Sequence, residues 1–99
     1  MYEIEFSVDV ENELQRIKKF QRNRILEEIE VQLKYEPKAS TWNRKILVNF
    51  IPPWHIVPPV WELRAGEYRI FYDVDDDVKK VYVRAVRRKP HGRRTEEII

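Results

Sequence analysis

Residues 61–87 contain three runs rich in valine, isoleucine, tyrosine and phenylalanine, and these runs constrain the fold more than any other part of the chain. The runs are separated by two short segments, residues 65–67 and 75–77, which consist of Ala-Gly-Glu and Asp-Asp-Asp. Glycine and aspartate favour turns, whereas β-branched and aromatic residues favour strands. The pattern therefore predicts three adjacent antiparallel strands.

Side chains alternate along the three predicted strands. Because successive side chains of a strand point to opposite faces, one face of the sheet is predicted to be apolar and the other charged. Antiparallel sheets commonly pack one face on the core and leave the other to solvent. The apolar set is Trp61, Leu63, Tyr68, Ile70, Tyr72, Val74, Val81, Val83 and Ala85, and the charged set is Glu62, Arg64, Arg69, Asp73 and Arg84.

Three residues interrupt the charged face, namely Phe71, Tyr82 and Val86. Two interpretations of them are open. Exposed aromatic rings among arginines could stack on nucleic-acid bases, or these side chains could cover the edge of the sheet.

The N-terminal half predicts one strand and two helices. Residues 1–8 alternate apolar and polar side chains, which is typical of a half-buried strand. Asp9 is placed to cap the helix that follows, and apolar residues then recur at helical spacing until Pro37 ends the second helix. We expect two helices with a break near residues 19–23, or one long kinked helix, and an antiparallel helix pair would cover the apolar face of the sheet.

Residues 38–60 are predicted to form a long, stiff loop, because four prolines there forbid a helix and discourage a central strand. A short edge strand at residues 46–48 is the regular element expected within it. The loop carries Trp42, Trp54 and His55. Long loops in small domains often carry function, and the alternative is that this one folds its aromatic side chains over the core.

The composition restricts the class of protein. A chain of 99 residues suits one domain, here residues 1–99, and the lack of cysteine excludes disulfides and thiolate ligands. Two distant histidines, His55 and His91, make a metal site unexpected, and the chain has neither a glycine-rich phosphate loop nor a serine or cysteine nucleophile constellation. Without an apolar span or a secretory signal, we expect a cytoplasmic protein with no cofactor and no membrane contact.

Positive charge is concentrated towards the C-terminus. The net charge is only +2, but residues 84–94 contain six basic and no acidic side chains. Such a cluster suits a polyanion, either nucleic acid or an acidic protein, although it could also be a solvated strand end. The six basic residues are Arg84, Arg87, Arg88, Lys89, Arg93 and Arg94.

Two segments carry a resemblance to a known family. The run from Trp61 to Asp75, Trp-Glu-Leu-Arg-x-Gly-x-Tyr-Arg-Ile-Phe-Tyr-Asp-Val-Asp, is followed by Val-Tyr-Val-Arg-Ala-Val-Arg-Arg-Lys, ending at Lys89. Together they resemble the central and C-terminal strands of the RelE/ParE superfamily of small bacterial toxins. The resemblance implies an α+β fold of order β-α-α-β-β-β, with an antiparallel sheet and both helices on one of its faces. It also implies the toxin of a type II toxin-antitoxin system, with a cognate antitoxin as partner.

The resemblance suggests a site for mRNA cleavage at the ribosome. Arg69 matches the strand arginine with which mRNA-cleaving relatives hold the scissile phosphate, and a guanidinium suits bidentate phosphate contact. Lys89 lies about where such enzymes place a cationic residue after the last strand. Arg69 could instead form a surface salt bridge with Asp73 or Glu62. The residues expected to contact RNA around this site are Arg64, Arg84, Arg87, Arg88, Arg93 and Arg94.

The chain also departs from the mRNA-cleaving pattern. Val60 and Glu62 stand where such relatives have a pair of lysines, and no tyrosine follows the basic cluster. Some relatives use a carboxylate base with a histidine acid, so Glu62 and His91 are the candidate pair. Whether the chain is an enzyme stays open. The alternative is a non-catalytic toxin, either a ParE-like inhibitor of DNA gyrase or an attenuated relative that only binds its antitoxin.

Overall fold

The computed structural model describes all 99 residues and shows a five-stranded sheet with two helices on one face. The strand order is β1-β5-β4-β3-β2, in which β1 is parallel to β5 and the other neighbours are antiparallel, so the sheet is mixed and not antiparallel throughout as predicted. No helix has both the length and the apolar character needed to cross a membrane. The elements are β1 Glu3–Phe6, α1 Val8–Gln15, α2 Lys19–Leu33, β2 Arg44–Leu47, β3 Val60–Ala65, β4 Tyr68–Asp75, β5 Lys80–Arg88 and a short 3₁₀ helix Thr95–Glu97.

The first helix begins earlier than its sequence suggests. Ser7 is the N-cap, and its hydroxyl accepts a hydrogen bond from the backbone N–H of Val10 at 3.1 Å. Asp9 therefore lies in the first turn, where its charge suits the helix dipole, rather than at the cap. The break between the helices falls at residues 16–18, just before the predicted 19–23. The N-terminal strand and the two helices are confirmed, with these shifted boundaries.

The helix-side face of the sheet forms the main core. Twelve buried residues from both helices and from β3, β4 and β5 make up this cluster. The apolar alternation of the three central strands is confirmed, except at the end of β5, where Ala85 and Val86 exchange faces. The cluster consists of Val10, Leu14, Ile25, Ile29, Leu33, Trp61, Leu63, Ile70, Tyr72, Val81, Val83 and Val86.

A β-bulge in β5 explains the exception. Phe71 of β4 lies opposite Ala85, whereas its neighbour Tyr72 lies opposite Val83, so Arg84 is an extra residue in β5. Beyond the bulge, the alternation of β5 is inverted. Ala85 packs on the face away from the helices and Val86 enters the main core, which is the reverse of the predicted arrangement.

The second face of the sheet is partly covered rather than open to solvent. Residues 48–59 fold back over it, so that the Phe50 ring stacks on Phe71 with a centroid distance of 6.0 Å and Trp54 lies 5.5 Å from the same ring. The prediction of an open face is wrong here, and the alternative of a loop folded over the core is confirmed. Phe71 is fully buried and cannot stack on bases. This second cluster comprises Val60, Phe71 and Ala85, with Leu47, Phe50, Trp54, Ile56 and Ile98 packed against them.

The edge strand β2 is anchored to the helices by a buried arginine. Arg44 donates from its Nη1 atom to the backbone carbonyl of Gln32 at 2.6 Å and to the carbonyl of Glu36. The carbonyl of Gln32 lies in the last turn of α2 and that of Glu36 just beyond the helix, where helical partners are lacking. β2 starts two residues before the predicted strand at 46–48 and divides the predicted loop into two irregular parts, residues 38–43 and 48–59.

Candidate functional site

Three arginines lie side by side across neighbouring strands on the second face of the sheet. Arg64 of β3 is opposite Arg69 of β4, and Arg69 is in turn opposite Arg87 of β5. We call these three residues the arginine row. Directly opposed residues have Cα atoms about 4.5–5.5 Å apart, and like charges in such positions destabilise a sheet. A bound anion would relieve that repulsion.

Arg69 has no acidic partner. Its Nη1 atom donates to the backbone carbonyls of Gly66 and Tyr68, both at 3.0 Å, so the guanidinium folds back on its own hairpin. Neither of the alternative salt bridges, to Asp73 or Glu62, is formed. Burial lowers the pKa of Arg69 from its ordinary value. The negative charge of Glu62 opposes this shift, whereas the positive charge of Arg64 adds to it. The positive charge of Arg69 therefore lacks a paired counter-charge.

Arg87 is held between a carboxylate and an aromatic ring. Glu13 of α1 forms an ion pair with the Arg87 guanidinium, whose carbon lies 5.6 Å from the centre of the Trp54 ring. The same Glu13 carboxylate accepts from the backbone N–H of Val86 at 3.1 Å. β1 pairs with β5 only as far as Val83. Beyond that point, the Glu13 carboxylate accepts the backbone hydrogen bond that a neighbouring strand would otherwise accept.

Glu62 is enclosed instead of being available as a base. Its side chain is 4% exposed, and its carboxylate accepts from the hydroxyl of Thr95 at 2.8 Å, with the Nζ atom of Lys45 at 3.7 Å. His91 lies exposed in the turn after β5 and makes no hydrogen bond to Glu62. The structure does not bring the predicted Glu62–His91 pair together, because Thr95 takes the carboxylate.

Arg84 serves the fold. Its guanidinium donates two hydrogen bonds to the fully buried carboxylate of Asp73, at 2.7 and 3.1 Å, and lies 4.6 Å from the centre of the Tyr82 ring. The residue that forms the bulge thus neutralises a buried charge. Arg84 is not in the arginine row, and its assignment as an RNA contact stays a prediction.

The remaining basic residues lie around the end of β5 and the C-terminal segment. Arg88 pairs with Glu67 at 3.3 Å, and Arg93 pairs with Glu97 at 3.1 Å, both in exposed positions where such pairs contribute little. A pocket of about 340 Å³ lies between β2 and the C-terminal segment. We call it the basic pocket, after the basic residues that line it, Lys45, Lys89, Arg93 and Arg94.

Several residues at the site have no signal in the sequence that marks them as functional. Glu13 is one of several acidic residues on an amphipathic helix, and Thr95 lies beyond the last predicted strand. Lys45 lies within the stretch predicted as a loop. Each reaches the site through a contact between segments that are distant in sequence. By contrast, alternation within the strands correctly predicts the shared face of Arg64 and Arg69.

Comparison with known proteins supports one family. A family model described as the ParE toxin of type II toxin-antitoxin system, parDE, matches residues 4–91. No curated protein matches the chain.

Solved structures show the same fold. A chain of the archaeal RelE-RelB complex from Pyrococcus horikoshii is 25% identical with a TM-score of 0.70, covering 94% of this chain and 98% of that one. A chain of the toxin-antitoxin complex RelBE2 from Mycobacterium tuberculosis is 20% identical with a TM-score of 0.69, covering 89% and 98%. The isolated Escherichia coli RelE toxin is 16% identical with a TM-score of 0.61, covering 98% and 92%.

Proposed function

The chain belongs to the family of ParE toxins of type II toxin-antitoxin systems, within the RelE/ParE superfamily, and from this premise we propose that it binds translated mRNA on the arginine row and cleaves it. A cognate antitoxin is its proposed partner, since two of the structures it resembles are toxin-antitoxin complexes. An acidic segment of that antitoxin would complement the arginine row and exclude RNA from it.

The observation that carries the proposal is the cross-strand register of Arg64, Arg69 and Arg87. RNA cleavage by the 2′-hydroxyl builds negative charge on the phosphate, and fixed cationic donors stabilise that charge in the transition state. Arg69 is central in the row and has no acidic partner, so it is assigned to the scissile phosphate. Its neighbours hold the same phosphate or adjacent ones.

The proton transfers are assigned separately. The 2′-hydroxyl attacks the adjacent phosphorus, the bond to the 5′ oxygen breaks, and protonated His91 supplies the proton that the leaving oxygen needs. The proton of the 2′-hydroxyl goes to solvent, because the Glu62 carboxylate is occupied by Thr95. Glu62 would act as a base only if Thr95 moved away. Most of the rate enhancement is therefore assigned to the arginines.

The test is cleavage of a reporter mRNA in a translating extract. The purified protein should shorten the mRNA, and Arg69→Ala should abolish the shortening. Arg16→Ala is the matched control, because Arg16 is an exposed arginine at the end of α1 and outside the arginine row. Intact mRNA at a high dose of folded protein would reject the nuclease proposal.

One observation favours a toxin that does not cleave RNA. Val60 and Glu62, at the positions of the lysine pair of mRNA-cleaving relatives, are 3% and 4% exposed, so neither is presented to a substrate. The second candidate is therefore a ParE-like inhibitor of DNA gyrase. Inhibition of gyrase supercoiling at stoichiometric protein, with RNA left intact, would select it. Tight binding of the cognate antitoxin, with neither RNA cleavage nor gyrase inhibition, would identify an attenuated relative.

A further inference from the structure

Four cationic side chains from three separate parts of the chain line the basic pocket, together with one carboxylate, that of Glu96. Lys45 comes from β2, Lys89 follows β5, and Arg93 and Arg94 belong to the C-terminal segment. Two of the four have a carboxylate within ion-pair distance, Lys45 with the buried Glu62 and Arg93 with Glu97, whereas Lys89 and Arg94 have none. Clustered like charges raise the free energy of the fold and concentrate anions nearby.

The basic pocket is continuous with the arginine row. The backbone N–H of Lys89 donates to the carbonyl of Glu67 at 2.6 Å, so pairing with the β3–β4 hairpin extends beyond the last residue of β5. Arg87 and Lys89 are two residues apart in this extended segment, which places them on the same face and about 7 Å apart along the chain. Cationic side chains thus follow one another from the arginine row into the basic pocket.

One wall of the basic pocket is apolar. Leu47, Val48 and Phe50 also line the pocket. An inorganic anion would gain nothing from such a wall, whereas a nucleotide has both a phosphate and a base that packs on apolar and aromatic side chains. The volume of about 340 Å³ lies at the lower end of the range for pockets that hold small organic ligands.

We infer that the basic pocket is a nucleotide subsite for the RNA strand held by the arginine row. Lys45, Lys89 and Arg94 contact the phosphate of this nucleotide, and its base packs against Leu47 and Phe50. The inference rests on the proposed binding of RNA and deepens it. An acidic protein segment is the competing ligand, and the test distinguishes it from RNA.

The test measures binding of a fluorescent oligouridine of roughly ten nucleotides over a series of salt concentrations. Lys45→Gln combined with Arg94→Gln removes two charges from exposed positions of the basic pocket. We expect binding about tenfold weaker than wild type. We also expect a salt slope shallower by about 0.7, the value for one phosphate contact on a single strand. Lys89→Gln should weaken binding in the same direction.

Arg16→Gln combined with Lys19→Gln is the matched control, because it removes two exposed charges outside both sites. It should stay within about twofold of wild type. Thermal unfolding of every variant checks that all the proteins compared are folded. Cross-linking of 4-thiouridine in the bound RNA to Phe50 would give direct support.

The outcomes separate this inference from the proposed function. If wild type binds RNA and Arg69→Ala weakens binding while the basic-pocket variants match wild type, the subsite is rejected and the arginine row stands. If wild type binds no RNA, both are rejected. If the basic-pocket variants lose affinity for a polyglutamate peptide and keep it for RNA, the pocket binds an acidic protein segment and the inference is wrong.

Discussion

Glu13 in the first helix forms an ion pair with Arg87 in the last strand, and the same carboxylate binds the backbone N–H of Val86. One acidic side chain thus closes the free edge of β5 and fixes a member of the arginine row. It also places a negative charge beside a site that we assign to phosphate. These roles can be separated by substitution.

We predict that Glu13→Gln keeps an acceptor for Val86 and changes the free energy of unfolding by less than about 1 kcal/mol. Loss of the negative charge should strengthen oligouridine binding about threefold at low salt. Glu13→Ala also removes the acceptor and should cost about 1–3 kcal/mol. Urea unfolding and fluorescence anisotropy measure the two effects. Glu11→Gln, at an exposed position of the same helix, is the control, and equal behaviour of both glutamine variants would contradict the assignment.

The ion pair between Asp73 and Arg84 makes a prediction about stability alone. Asp73 is fully buried, and Arg84 is its partner, so Arg84→Ala leaves a buried charge without compensation. We expect a loss of about 3–5 kcal/mol in the free energy of unfolding, measured by urea denaturation. Arg93→Ala, which removes an exposed arginine, should change it by less than about 0.5 kcal/mol. A loss at Arg84 no greater than at Arg93 would show that the pair does not hold the bulge.

Because residues 48–59 cover the second face of the sheet, we expect two tryptophans to contribute unequally to stability. Trp54 packs on Phe71 and lies over Arg87, whereas Trp42 is 88% exposed. Trp54→Ala should lower the free energy of unfolding by about 3 kcal/mol, and Trp42→Ala should change it by less than about 0.5 kcal/mol. Thermal or urea unfolding measures both. Equal small effects would mean that residues 48–59 do not cover the sheet in solution.

Tyr72 predicts a loss of stability at high pH. Burial raises its pKa well above the ordinary value of 10.0, and its hydroxyl donates to the carbonyl of Pro37 at 2.6 Å. Because the pKa is higher in the folded state, the unfolded state loses the proton first. The contribution of Tyr72 is complete below about pH 10 and declines as the pH rises towards the folded pKa.

The comparison is between wild type and Tyr72→Phe. Removal of the buried hydrogen bond should cost about 1–2 kcal/mol at neutral pH. Between about pH 8 and about pH 11, wild type should lose about 1.4 kcal/mol more than the variant, since one proton is released only on unfolding. Urea unfolding at both pH values checks this difference. Parallel losses in the two proteins would show that Tyr72 ionises as easily in the folded state.

Most of the fold can be predicted from the sequence, because strands, helices and turns are specified by residues that are close together in the chain. Alternation along β3 and β4 assigned their faces correctly, and Gly66 and Gly92 lie in turns with positive φ angles of 61° and 85°. The capping hydroxyl of Ser7 and the start of β2 at Arg44 shifted boundaries by a few residues only. The α+β fold with both helices on one face is confirmed.

The site was harder to predict because its contacts join distant segments. No local pattern indicates that Thr95 would occupy Glu62, or that Glu13 would reach Arg87. Proline content predicted that residues 38–60 lack a helix, but it could not predict that Phe50 and Trp54 would cover Phe71. The faces beyond Arg84 were wrongly assigned because a bulge depends on the pairing partner.

That bulge has a further consequence for the origin of the site. If all nine residues of β5 alternated regularly, Val86 would face outward and Arg87 would turn beneath the helices, leaving Arg69 with one arginine neighbour instead of two. A strand lacking Arg84 would keep Arg87 outward without any bulge, but it would lose the partner of Asp73. The one extra residue of β5 relative to β4 therefore decides on which face of the sheet the positive charge of Arg87 lies.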